Sequence, residues 1–93
     1  MDPSDSATQE TQEIDFSSFI VSLATSALMH LGEIQAEGQP PQVNFALAKQ
    51  TIDIIGMLRD KTRGNLTEAE TQMVEDVLYD LRIKYLAARK NTS

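Results

Sequence analysis

The chain has 93 residues, no cysteine and a formal charge of -6. Lacking cysteine, it can form neither a disulfide framework nor a thiolate zinc site. The first fifteen residues carry five acids and no base, and the remainder carries nine acids against eight bases, so the body is nearly neutral and broad nucleic-acid binding, which needs clustered Lys and Arg against phosphates, is excluded.

Residues 1–13 are rich in Ser, Thr, Gln, Asp and Glu, and ordering them would cost entropy without compensating burial. They are expected to form a disordered acidic tail ahead of a helical domain at 14–90, with 91–93 frayed. The same stretch lacks the basic start and apolar run of a secretory signal, so the expected compartment is the cytoplasm.

The first helix is expected over 16–32, beginning after Asp15, whose carboxylate can accept from the free N–H groups of the first turn. Phe16, Phe19, Ile20, Leu23, Ala27 and Leu31 recur at three- and four-residue steps and line one apolar face. Gly32 is a natural stop. The opposite side carries Ser18, Ser22, Thr25, Ser26 and Met29 where an ordinary surface helix carries charge. Although residues 16–32 form a charge-free run of 17, their hydroxyls and His30 make it short and polar for a membrane span, which needs about 20 apolar residues.

Residues 33–43 read as a loop broken by Gly38 and the Pro40-Pro41 pair. Asn44 then caps a second helix over 45–63, with Phe45, Leu47, Ala48, Ile52, Ile54, Ile55 and Leu58 as a broad apolar arc and Lys49, Asp53 and Asp60 on the wet side. Arg59 projects near that arc and is expected to snorkel or to pair with an acid on a neighbour.

The junction Lys61 to Thr67 is the most specific local signal. Gly64 can adopt the left-handed conformation found at helix ends, and Thr67 with Glu70 forms a T-x-x-E capping box for a third helix over 68–89. A connection this short favours antiparallel packing. The third helix begins acidic and ends basic, which suits its macrodipole. Val74, Val77, Leu78, Leu81, Tyr85 and Ala88 make one apolar face, while Tyr79, Ile83 and Leu86 fall on nearly the opposite side.

Candidate chemistry is sparse. His30 is the sole histidine and reads as a packed side chain at a helix end; Glu75, Asp76 and Asp80 read as a solvated acidic face relieved by Lys84, and no phosphate-binding glycine pattern occurs. The expectation is no catalytic residue, no metal and no cofactor. The basic groups at Arg59, Lys61 and Arg63 and at Arg82, Lys84, Arg89 and Lys90 read as complements to helix C-termini.

Three segments taken together, F-x-x-F-I-x-S-L-A-T-S-A-L-x-x-L-G, A-x-Q-T-I-D-I-I-x-M-L-x-x-K-T-x-G-N-L-T and L-Y-D-L-R-x-x-Y, resemble a bacterial domain-of-unknown-function family of short helical proteins, DUF1844-like, across residues 16–86. The resemblance implies a small bacterial helical protein and carries no activity with it. The expected fold is therefore an all-α, three-helix antiparallel unit completed by oligomerisation. Its expected role is a homo-oligomeric interaction module, at least a dimer, with another protein as the alternative partner and with Ser18, Ser22, Ser26 and Met29 of the first helix and Tyr79, Ile83 and Leu86 of the third as interface candidates. Two other readings are a protein that lays the charge-free helix on a membrane surface, disfavoured because interfacial helices carry Lys and Arg opposite their apolar side, and a small ligand binder or enzyme with its site at an oligomer interface.

Overall fold

The computed structural model describes residues 15–34, 38 and 42–92; the expected tail at 1–13 lies outside them, as do 35–37 and 39–41 of the loop. Three helices follow in order: α1 (Phe16–Leu31), α2 (Phe45–Lys61) and α3 (Glu68–Thr92). Each packs against both others, giving an all-α fold.

Local chemistry sets the helix ends. The Asp15 carboxylate accepts from the Ser18 N–H at 2.8 Å, and the Asn44 side-chain oxygen accepts from the Leu47 N–H at 3.0 Å, each satisfying an orphan donor of a first turn. At the far end of α1, Gly32 takes φ 82°, its N–H reaches the Met29 carbonyl, and the Glu33 N–H reaches the Leu28 carbonyl at 2.9 Å. That pair of bonds is a Schellman closure. The Asn44 N–H then donates to the His30 carbonyl at 2.7 Å, tying the start of α2 to the end of α1.

α2 ends at Lys61, two residues before the expected end at 63. The Thr62 hydroxyl bonds back to the Leu58 carbonyl at 2.7 Å, and the Asn65 N–H closes a turn onto the Thr62 carbonyl at 2.8 Å. Gly64, at φ 88°, is the third residue of that turn, the position where a type II turn needs positive φ, and so does not itself terminate the helix. The capping box forms in full: the Glu70 N–H donates to the Thr67 hydroxyl at 3.1 Å and the Thr67 N–H to the Glu70 carboxylate at 2.8 Å. α3 runs three residues beyond its expected end at 89, so Asn91 and Thr92, expected to fray, are helical. Its last turns are held by Arg89, whose guanidinium donates to the Tyr85 hydroxyl at 3.1 Å and stacks over the Phe45 ring at 5.7 Å.

α2 and α3 are antiparallel. The Phe45 and Tyr85 rings meet edge to face at 6.1 Å near one end, and Arg59 reaches Glu75 at 3.3 Å near the other. The core takes three residues from each helix: Ile20, Ala27 and Leu31; Ala48, Ile52 and Ile55; Val74, Leu78 and Leu81. Burying each of the larger side chains stabilises the fold by about 1.5–3 kcal/mol. Two apolar arcs prove narrower than their sequence suggests. Phe19 on α1 and Leu47 and Ile54 on α2 are exposed, because a three-helix bundle covers only the side of each helix that faces its two neighbours. In their place Thr51 and Gly56 are buried on α2, the Thr51 hydroxyl satisfied by the Leu47 carbonyl at 2.8 Å.

Candidate interaction surface

The apolar side chains left outside this core define the surface. On α3, Val74, Leu78 and Leu81 point inward, so the residues half a turn away must point out. Tyr79, Ile83 and Leu86 are 71%, 48% and 65% exposed. Their spacing of four and then three residues aligns them in one straight row, the spacing of a coiled-coil seam. Asp76 before the row and Lys90 after it extend the same pattern.

The charges around the row are largely engaged within the chain. Glu75 receives Arg59, Lys84 donates to Asp80 at 3.3 Å, and on α2 Lys49 donates to Asp53 at 2.8 Å. Asp60 receives Arg59 at 3.0 Å and Arg63 at 3.1 Å; the hydrogen bond from Arg59 is the main reason its carboxyl sits below the usual carboxylate range. Asp76 accepts only from the neutral Gln72 amide, at 2.8 Å, and has no ion-pair partner among the described residues.

On α1, Ser18, Ser22 and Ser26 are exposed as expected of an outward ridge, but Met29 is half-buried. The Ser22 hydroxyl donates to the Ser18 carbonyl at 3.1 Å and the Thr25 hydroxyl to the Val21 carbonyl at 2.9 Å, so these groups already have partners along their own helix. The serine ridge and the α3 row lie on different helices, each on the side away from its helix's buried residues. The junction residues Gly64, Thr67 and Glu70 serve the turn and the cap, apart from either face.

A third surface goes unread in the sequence. Leu47, Ile54 and Met57 are exposed along α2, with Gln50 completing a row at alternating steps of three and four. The buried Ala48, Ile52 and Ile55 repeat at the same steps, so spacing alone does not separate the two rows. Between α2 and α3 the Arg82 guanidinium lies over Gly56, 3.3 Å from where a Cβ would stand, and forms one wall of a groove with Asp53, Met57 and Lys61.

His30 is half-buried in the last turn of α1. Among the described residues no three His, Asp or Glu side chains gather as metal ligands, and no helix is long and apolar enough to cross a membrane. The family model described as domain of unknown function DUF1844 matches residues 13–87, a span that contains all three helical signatures. No curated protein and no solved structure matches the chain.

Proposed function

The chain belongs to the DUF1844 family, whose description assigns no activity, and from this starting point we propose that it is a small helical interaction module that acts by self-association in the cytoplasm, without chemistry of its own. The observation that carries the reading is the exposed row Tyr79, Ile83 and Leu86. Three large apolar side chains aligned on the outside of a helix form the kind of patch that marks an interaction site, because water is displaced from all of them together. The row is also rigid. Its helix is fixed from the opposite side by Val74, Leu78 and Leu81, so little order is lost when a partner docks.

Self-association is expected to give at least a dimer at micromolar concentration, with two-fold symmetry as its simplest form. Sedimentation velocity over a concentration series measures this directly. Ile83→Glu places a charge in the middle of the row and should yield a monomer that retains its helical circular dichroism. A parent chain that sediments as a monomer at high concentration removes the proposal.

A further inference from the structure

The seam on α3 has an internal symmetry that specifies how a second copy would sit on it. Asp76, Tyr79, Ile83, Leu86 and Lys90 follow one another at steps of four and three. The midpoint of Asp76 and Lys90 is residue 83, and the midpoint of Tyr79 and Leu86 falls half a residue from it. The pattern therefore maps onto itself when the helix is reversed about Ile83, with an acid exchanged for a base at the ends and an aromatic for an aliphatic within.

We infer that two copies of this chain pair through α3 in antiparallel register, with Ile83 of each at the two-fold axis, Tyr79 of one copy against Leu86 of the other, and Asp76 of one opposite Lys90 of the other. The inference rests on the self-association proposed above and adds its partner geometry. Three observations select this arrangement over a parallel one. A parallel pair in register sets Asp76 beside Asp76 and Lys90 beside Lys90, whereas the antiparallel pair sets unlike charges together at both rims. The neighbouring acids Glu75 and Asp80 are already neutralised within the chain by Arg59 and Lys84, and Asp76 is the acid of this face that keeps no cationic partner among the described residues. Finally, α3 begins acidic and ends basic, so a parallel pair aligns the two helix dipoles and sets like-charged ends together, whereas an antiparallel pair opposes the dipoles.

The absence of cysteine makes the geometry directly testable, since any introduced thiol is unique. At the axis, the two copies of residue 83 lie within the roughly 4.4–6.8 Å Cα separation that a disulfide spans. Tyr79 and its own symmetry mate are displaced by about eight residues along the pair, roughly 12 Å, and cannot bridge. Mild oxidation of Ile83→Cys at tens of micromolar should therefore give covalent dimer. Tyr79→Cys alone and Leu86→Cys alone should not, but the two variants mixed should cross-link to each other.

Charge reversal gives the independent arm. Asp76→Lys should raise the dimer Kd about tenfold, since each dimer contains the contact twice and an exposed pair is worth a modest amount. Adding Lys90→Asp to it should restore the parent value to within about threefold. A dimer that forms normally but cross-links equally well through each of the three single cysteines is parallel, and overturns the register while leaving self-association intact. A dimer that cross-links through none of them uses another face, with the same consequence. A parent chain without any dimer in sedimentation overturns both.

Discussion

Two glycines hold positive φ in this chain for different reasons, and substitution separates them. At Gly32, φ is 82° and a Cβ would stand 2.9 Å from the Val43 side chain; at Gly64, φ is 88° and a Cβ would meet nothing within 4 Å. Any L side chain at either position meets the left-handed backbone penalty of about 1–2 kcal/mol. Gly32→Ala must in addition displace the Val43 side chain. Both alanine variants are expected to melt below the parent, Gly32→Ala by the larger margin. Equal melting temperatures would mean that Val43 moves aside freely. The sequence marks both glycines as turn or helix-end residues, yet it cannot rank them, because Val43 is distant from Gly32 along the chain and meets it only in the folded structure.

Helix ends in this protein are set by side chains within four residues of the terminus, and their carboxylates make the ends sensitive to pH. Asp15 is held below the usual carboxylate range by the hydrogen bonds it receives from Ser18, and Asp60 by the hydrogen bond from Arg59. A carboxyl whose folded pKa is depressed stabilises the fold fully above its unfolded value, about 3.9, and the contribution is lost as pH falls through the lower folded value. The melting temperature should thus be flat from neutral pH to about 5 and decline below about 4. Asp15→Asn keeps a cap acceptor but removes the titration, and should make the acid decline shallower; an unchanged acid limb would show that the first cap contributes nothing. Thr67→Ala removes half of the capping box and should cost about 1 kcal/mol in denaturant unfolding. These ends can be read from the sequence, since a cap is a local pattern. The width of an apolar arc is different: Phe19, Leu47 and Ile54 fit the helical period of the core but lie beyond the reach of the two neighbouring helices. The outward row of α3 is legible because it falls nearly opposite a strong inward one, whereas Leu47, Ile54 and Met57 border their own inward row and merge with it.

At the scale of the whole molecule the nine buried core residues are divided equally among α1, α2 and α3, so no two helices retain a sufficient core when the third departs. Unfolding is expected to be a single cooperative event. The slowest-exchanging amides of the three helices should share one opening free energy in native-state hydrogen exchange. A helix that stays protected in denaturant after another has lost protection would contradict this. The fold class follows from periodicity and the short α2–α3 connection, but the equal division emerges only when the helices are assembled. α3 alone presents core residues on one side and the seam on the other, and it links the two energetically. With self-association as proposed, every pairing event favours the folded chain by mass action, so the melting temperature should rise with protein concentration in the parent and be independent of concentration in Ile83→Glu.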